Sequence, residues 1–380
     1  MKKYYLMAPG PTPVPSNVLL AMAQEMIHHR TPEYEALFIE VRAGLQRLFQ
    51  TSRDVIPFTS SGTGAMEAAV VNTLSPGDAV LVLRAGKFGE RWEEICHAYG
   101  VRVIPVTAPF GETVPAERIA GALREHPEAK AVLMQHSESS TGVLHDVKGI
   151  AAVSRATNAI LIVDAVSSLG IADLRMDAWG VDLVVAGSQK GLMLPPGLCF
   201  CALSEKAWER LGSSRLPKYY FDLAAEWKAV SKNEAHFTPA VSIVVGLREV
   251  LRMIEAEGLP NVFKRHERLA RATRSGVEAL GLEIFAKATP SPALTAVVAP
   301  RGLDSEQIVA AYSVHNITIA GGQGEMKGRV FRLGHMGYVG DFDVLTALGA
   351  LEQVLHELGH PVDFGAAVRG AQKVFAAERV

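Results

Sequence analysis

The stretch VVAGSQKGLMLPPG, residues 184–197, joins an apolar run, a lysine and a loop rich in glycine and proline. Lys190 comes shortly after DLVVAG (182–187), which has the β-branched character of a buried strand. Ligands of open α/β sheets bind outside the carboxyl ends of the strands. Lys190 is therefore either a solvated loop residue or a desolvated amine, whose pKa burial would lower enough to make it a nucleophile.

Around this stretch, short apolar runs alternate with longer segments of helical period. Continuous apolar strands that alternate with helices predict an α/β fold, with a mostly parallel sheet covered on both faces. The predicted strands are AVLVL (79–83), VRVIPV (101–106), AVLMQ (131–135), AILIVD (159–164), DLVVAG (182–187) and LCFCAL (198–203).

From about residue 239 the pattern changes to longer helices with few strands, beginning with AVSIVVGLREVLRMIEAEG (240–258). This change predicts a second, smaller α+β domain. We expect the large domain to span residues 20–257. The small domain would comprise residues 258–380 together with the N-terminal segment 1–19.

The composition narrows the possible partners. The 380 residues carry a formal net charge of −2, which makes nucleic acid a poor default partner. No apolar run is long enough to cross a bilayer, so no membrane partner is expected. The chain has three cysteines, an odd number, two of which alternate within LCFCAL. This usage argues against a disulfide framework and predicts a cytoplasmic protein.

Three features, two of which follow predicted strands, point to one cofactor. In SSGTGAMEA (60–68), glycines open directly into a helix, where free N–H groups favour an anion, although a simple helix cap is the alternative. Asp164 ends an apolar strand, where it is either a helix cap or the partner of a cation. Lys190 is the third feature. An anion site, a buried acid and a buried lysine are together what pyridoxal 5′-phosphate requires.

Arg332 lies in RVFRLGHMG (329–337), an alternating, strand-like segment of the predicted second domain. A guanidinium fork matches the geometry of a substrate carboxylate. A surface ion pair is the alternative for an arginine taken alone.

The segment HELGH (356–360) satisfies the H-E-x-x-H pattern of zinc metalloproteases. Gly359 separates the second histidine from the helix and Pro361 follows at once, and both residues mark a helix end. We expect a capped helix end with solvent-facing histidines, and hence no metal site.

Taken together, SSGTGAMEA, AGKFGERW (85–92), HSESSTG (136–142), VDAVSSLG (163–170) and SQKGLMLPPG resemble the class V, fold-type I pyridoxal-phosphate aminotransferases. The resemblance runs from LMAPGPTPVP (6–15) to RVFRLGHMG, and is strongest to the alanine/serine–glyoxylate (or pyruvate) subgroup. It implies a ping-pong transamination that moves the amino group of alanine or serine to glyoxylate or pyruvate.

The resemblance also implies roles for individual residues. Lys190 matches the Schiff-base lysine, Asp164 the partner of the pyridine nitrogen, and Arg332 the residue that binds the substrate carboxylate. Phe88 stands where many relatives place a ring-stacking tryptophan. The other implied cofactor-binding residues are Gly62, Thr63, Gly64, Ser139, Val166, Gln189 and Thr238.

Thr238 lies in NEAHFTPAVS (233–242), which resembles a loop that crosses to the phosphate of the partner subunit, and this implies a homodimer with shared active sites. Some relatives carry a tyrosine at the position of Ala235. Because this chain lacks that hydroxyl, the resemblance does not decide which substrate it uses. The alternatives are a 2-aminoethylphosphonate or ureidoglycine aminotransferase, a class V lyase or desulfurase, and a catalytically silent homologue. A desulfurase would carry a cysteine on a mobile loop and usually a histidine at the position of Gln189.

Overall fold

The computed structural model describes residues 3–378, which form a central seven-stranded sheet, a second small sheet and fourteen α-helices. The central strands, in spatial order, are Val55–Phe58, Cys199–Leu203, Leu183–Gly187, Ile160–Asp164, Ala131–Gln135, Ala79–Arg84 and Arg102–Thr107. Cys199–Leu203 is antiparallel to both of its neighbours, and the adjacent pairs from Leu183–Gly187 to Arg102–Thr107 are parallel. The predicted α/β fold with a mostly parallel sheet is confirmed.

All six predicted strands are present, each within about one residue of its predicted bounds. The edge strand Val55–Phe58 was missed, because four residues that include Pro57 give little periodicity. Its place at the edge fits the proline, which cannot donate a hydrogen bond to a sheet ladder.

Helices cover both faces of the central sheet, as the continuous apolar strands require. Leu81 packs into one face with helices Pro32–Phe49, Val147–Arg155 and Val241–Glu257. Val80 and Val82 pack into the other face with helices Gly62–Thr73 and Lys87–Ala98. The remaining helices of this part of the chain are Ser16–Met22, Ala116–Glu125, Met176–Trp179, Glu205–Leu211 and Leu223–Val230.

The C-terminal part contains an antiparallel sheet in which Val330–Gly334 lies between Leu294–Val298 and Ala320–Gly321. Its helices are Leu259–Ala279, Ser305–Val314, Asp341–Glu357 and Ala366–Ala377. These elements enclose a separate apolar core. The domain boundaries at residues 19 and 257 stay a prediction.

The N-terminal segment connects the two sheets. Tyr5–Leu6 pairs in parallel with Ile317–Thr318 beside the small sheet, whereas helix Ser16–Met22 packs against helix Val241–Glu257 of the larger part. The intervening residues 7–15, named here the N-terminal strap, cross between them. The strap brings the start of the chain to Lys190.

Within residues 3–378, the helices are all too short or too polar to span a lipid bilayer.

Candidate active site

The carboxyl ends of adjacent central strands carry the predicted site. Asp164 ends Ile160–Asp164 and is in register with Gln135, the last residue of the neighbouring strand. Lys190 follows the next strand, Leu183–Gly187. The Ser188 hydroxyl closes the loop after that strand, because it donates to Pro195 O at 2.7 Å and accepts from Leu198 N at 3.2 Å. The lysine is thereby fixed at the sheet edge.

The strap lies directly against Lys190. The Lys190 ammonium donates to the backbone oxygen of Pro9, and Thr12 donates to the Lys190 backbone oxygen at 3.0 Å. A Cβ added at Gly10 would lie 2.4 Å from Lys190 Cδ, so a larger residue would displace the end of the lysine side chain and strain a backbone with a φ of +106°. The pKa of Lys190 is lowered to about 8, first by burial and then by the charge of Arg332, against the opposing charge of Asp164.

Asp164 is a buried carboxylate held by its own turn. Its Oδ1 accepts a 2.8 Å hydrogen bond from Val166 N. Burial raises the pKa of Asp164 to about 6, whereas the Val166 bond and the charges of Arg91 and Lys190 oppose the rise. Such a group favours a cationic or proton-donating partner.

The glycine-rich loop packs against the end of the lysine strand and against the turn after Asp164. A Cβ at Gly62 would meet Val166 Cγ2 at 2.5 Å, and one at Gly187 would lie 3.4 Å from Gly62 N. The Oε1 atom of Gln189 is buried beside Gly187 without a hydrogen-bond partner in the protein. Helix Gly62–Thr73 therefore starts close to the lysine strand, where Gly64 N already donates to Ser61 O at 2.9 Å and the preceding N–H groups face the predicted anion site.

Phe88 lies in the first turn of helix Lys87–Ala98, where the buried carboxylate of Glu138 holds the backbone. Glu138 accepts from Phe88 N at 3.1 Å and from Gly89 N at 3.2 Å, and the Ser140 hydroxyl also donates to it at 2.5 Å. A Cβ at Gly86 would lie 2.3 Å from Glu138 Cδ. Burial raises the pKa of Glu138.

Arg332 reaches from the small sheet into the same region. Its Nη1 donates to Ser139 O at 2.7 Å and its Nε donates to Gly321 O at 2.9 Å. Burial lowers the pKa of Arg332 to about 10, against the opposing charge of Glu138. Both recorded acceptors are neutral, so the charge stays available to an anion.

Thr238 is the predicted site residue that lies apart from this group. It lines a cavity with Thr59, Tyr220 and Glu226, and the nearby Ala240 N donates to Thr59 Oγ1 at 2.9 Å. Thr59 directly precedes the SSGTG segment, so Thr238 stands near the start of that loop and not beside Lys190. Its role towards a partner subunit stays a prediction.

The structure brings the other predicted residues together, and their roles stay predictions. It also adds residues that the sequence analysis missed. Glu138 was quoted within HSESSTG without a role, and Arg91 lies one helical turn after Phe88 in AGKFGERW. The spacing of three residues on a helix was the available signal for Arg91.

HELGH does not form a metal site among the described residues, which contain no group of three or more His, Cys, Asp or Glu placed to hold an ion. The helix ends at Glu357, with Gly359 at a φ of +79°. Glu357 Oε2 lies 3.0 Å from His315 Nε2. The second histidine is therefore outside the helix, as expected.

The donor set fits pyridoxal phosphate. The helix start at Gly62 marks the anion end. Asp164 faces the same side of the sheet as Gln135, whose buried amide nitrogen and oxygen lack partners. Lys190 lies within electrostatic reach of both Asp164 and Arg332. The phosphate, the ring nitrogen and the aldehyde of the cofactor thus each have a matching group: the helix start at Gly62, Asp164 and Lys190.

The family described as Aminotransferase class-V matches residues 4–330. The chain is 46% identical over 380 residues to the soluble hydrogenase 42 kDa subunit of Anabaena cylindrica, covering 98% of this chain and 99% of that protein. It is 40% identical to the L-aspartate–glyoxylate aminotransferase of Paracoccus denitrificans, covering 96% and 94%.

Among solved structures, the ureidoglycine–glyoxylate aminotransferase of Bacillus subtilis superposes with a TM-score of 0.95, at 30% identity and 99% coverage of both chains. Fold, site and sequence thus agree over nearly the whole length. The chain belongs to the class V aminotransferases, which are pyridoxal-phosphate-dependent enzymes.

Proposed function

We propose that this enzyme transfers the amino group of a small amino acid, alanine or serine, to glyoxylate or pyruvate in a ping-pong reaction. Transamination itself follows from the family. Glyoxylate as acceptor is supported by the names of two similar proteins, which differ in their donors. The choice of donor and acceptor is the proposal.

The observation that carries the proposal is the position of Lys190 after a central strand, within electrostatic reach of both Asp164 and Arg332. Burial and Arg332 favour the neutral amine of Lys190, which is the form that can attack a carbonyl or accept a proton. A nearby guanidinium suits a substrate carboxylate. The group therefore combines a nucleophile, a general base and an anchor.

Bound pyridoxal phosphate would supply the electron sink for the substrate carbanion. Asp164 would hold a proton on the ring nitrogen, and Phe88 and Val166 would pack against the ring. The Gly62–Gly64 loop and Gln189 would hold the phosphate, with Ser139 near the ring oxygen. Lys190 would move the proton at the substrate Cα, and Arg332 would orient that carbon by its carboxylate.

The contact between the strap and Lys190 supports a small donor. The Gly10 backbone lies directly against the Lys190 side chain, so an added methyl group would displace the end of that side chain. A long substrate side chain on this side would have to displace the strap. Alanine and serine have side chains small enough to fit beside the strap.

We propose a homodimer in which Thr238 of each subunit completes the phosphate site of the other. Its exposed position next to Thr59 is compatible with that role. Ala235 is buried in the same segment and offers no hydroxyl. We also propose a cytoplasmic location, which the three buried free thiols of Cys96, Cys199 and Cys201 support.

The decisive experiment is the visible absorption spectrum of the purified protein, recorded with alanine, serine, aspartate or ureidoglycine and then with glyoxylate or pyruvate. We expect a yellow protein that alanine or serine bleaches fastest and that glyoxylate restores. A protein that stays colourless with added cofactor would contradict the proposal. If only aspartate or only ureidoglycine bleached the protein, that compound would be the amino donor and the proposed donor would be wrong.

Two controls separate the alternatives. Lys190→Ala should abolish the amino-acid-dependent bleaching, whereas a catalytically silent homologue would show none in the wild type either. A lyase or desulfurase would release its product without an acceptor. Neither Cys199 nor Cys201 suits a desulfurase, because both are wholly buried in a central strand and burial raises the pKa of both thiols.

A further inference from the structure

Arg91 occupies a position between the glycine-rich loop and the ring-stacking residue. Its Nη1 donates to Thr63 Oγ1 at 3.3 Å, and its guanidinium carbon lies 4.7 Å from the centre of the Phe88 ring. Helix Lys87–Ala98 places Arg91 one turn after Phe88, so both side chains lie on the same helix face. Arg91 thereby links the two segments that would hold opposite ends of the cofactor.

The charge of Arg91 is directed to the site. It lowers the pKa values of both Asp164 and Lys190, which places it within electrostatic reach of both groups. On its helix, Glu90 binds Lys87 and Glu93 lies 3.0 Å from Arg84, whereas Glu94 forms no ion pair within 4.0 Å with any residue that the structure describes. Within residues 3–378, no carboxylate lies within 4.0 Å of Arg91 to neutralise it.

A bound phosphate monoester carries about 1.5 to 2 negative charges at neutral pH. The Gly62–Gly64 loop offers backbone N–H groups and a helix start, which is equivalent to roughly half a positive charge. Thr63 and Gln189 add only neutral donors. Most of the negative charge of the phosphate must therefore be balanced by another, positively charged group. A guanidinium matches phosphate oxygens in geometry as well as in charge.

We infer that Arg91 is the cationic phosphate-binding residue of the cofactor site, acting beside Thr63. The inference rests on the proposed role of the Gly62–Gly64 loop as the phosphate site. It assigns Arg91 to the phosphate end alone. Phe88 would instead contact the pyridine ring, and it would do so in pyridoxal as well as in pyridoxal phosphate.

The test compares pyridoxal phosphate with pyridoxal, which lacks the phosphate, as ligands of the cofactor-free full chain. For Arg91→Met we expect the dissociation constant of pyridoxal phosphate to rise by about 10- to 100-fold, because a charge-assisted hydrogen-bond pair is lost. The dissociation constant of pyridoxal should stay within about twofold, since the ring contacts remain. Arg91→Lys should lie between Arg91→Met and the wild type.

Two control variants fix the interpretation. Phe88→Leu should weaken both ligands equally, because it removes ring contact. Arg84→Met removes a nearby arginine that is already paired with Glu93 and should change neither constant. If Arg91→Met weakened both ligands equally, Arg91 would act through Phe88 and the inference would be overturned. Unchanged binding of pyridoxal phosphate would overturn it as well.

A second readout needs no cofactor. Inorganic phosphate should raise the melting temperature of the cofactor-free wild type but not that of Arg91→Met. If the wild type neither responded to phosphate nor preferred pyridoxal phosphate over pyridoxal, the assignment of the loop itself would fail. Should Arg91→Met not fold, as judged by circular dichroism, the same measurements on Arg91→Lys decide the question.

Discussion

Arg332 Nη1 lies 2.7 Å from the backbone oxygen of Ser139, a residue 193 positions earlier in the chain. The bond ties the middle strand of the small sheet to the loop that follows a central strand. The same guanidinium also donates to Gly321 on the edge strand beside it. Two backbone carbonyls thus aim a buried cation at the space next to Lys190.

Replacing Arg332 should therefore weaken the use of the substrate more than the binding of the cofactor. For Arg332→Gln we expect kcat/KM for the amino donor to fall about 100-fold or more, because a buried charged partner of the carboxylate is lost. The dissociation constant of pyridoxal phosphate should change little. Steady-state kinetics and cofactor titration check the two parts, and equal losses in both would contradict the role.

The lowered pKa of Lys190 predicts how cofactor loading depends on pH. Only the neutral amine attaches, so the loading rate of the cofactor-free protein should rise about tenfold per pH unit below pH 8 and level off above it. A lysine with the ordinary pKa of 10.5 would still accelerate at pH 9 to 10. Borohydride trapping after timed mixing measures the rate, with Lys190→Ala as the blank.

Glu138 should contribute strongly to stability. Glu138→Ala removes the acceptor of the Phe88, Gly89 and Ser140 backbone N–H groups, so the free energy of unfolding should fall by about 3 kcal/mol or more. Glu138→Gln retains one acceptor oxygen and should cost less. Denaturant unfolding of the cofactor-free protein measures both. Equal stabilities for the alanine variant and the wild type would show that water replaces the carboxylate.

The low pKa values of two buried histidines predict that the protein loses stability as the pH falls. Burial lowers the pKa of His145 to about 3 and that of His136 to about 4, below the unfolded value of 6.5. The unfolded state therefore binds protons first. For each such group, the free energy of unfolding should fall by about 1.4 kcal/mol per unit as pH drops from 6.5 towards the folded pKa.

His145→Phe removes one of these groups without breaking a hydrogen bond, because neither ring nitrogen of His145 has a partner. We expect a shallower loss of stability between pH 6.5 and pH 4. His97→Gln, at an exposed position, should follow the wild type. Urea unfolding across this pH range gives the slopes, and parallel curves for His145→Phe and wild type would contradict the prediction.

Gly10 of the strap has a matched control in Gly77, which lies between helix Gly62–Thr73 and strand Ala79–Arg84. Gly10 and Gly77 both have positive φ values, +106° and +82°, but an added Cβ meets Lys190 at Gly10 and nothing within 4 Å at Gly77. Both alanine variants should lose more than about 1 kcal/mol of stability from backbone strain. Only Gly10→Ala should also lower kcat, by displacing Lys190. Equal kcat values would show that the strap yields freely.

The sequence predicts the strand ends well, because buried parallel strands read as unbroken apolar runs and their carboxyl ends must share an edge. Asp164 and Lys190 follow from that rule. Glu138 and Arg91 do not, since their partners depend on how the loop after one strand packs against a helix that follows another. The strap escaped prediction for a different reason: its prolines and glycine carry no periodicity.

The strap also sets an order of events during synthesis. Residues 5 and 6 leave the ribosome more than 300 residues before their strand partners Ile317 and Thr318. The strap beside Lys190 therefore cannot be anchored at both ends until residues 317 and 318 have been synthesised. A nascent chain stalled before residue 317 could therefore fold its central sheet but would present an open lysine. Stable retention of the cofactor should thus require that residues 317 and 318 have been synthesised and have paired with residues 5 and 6.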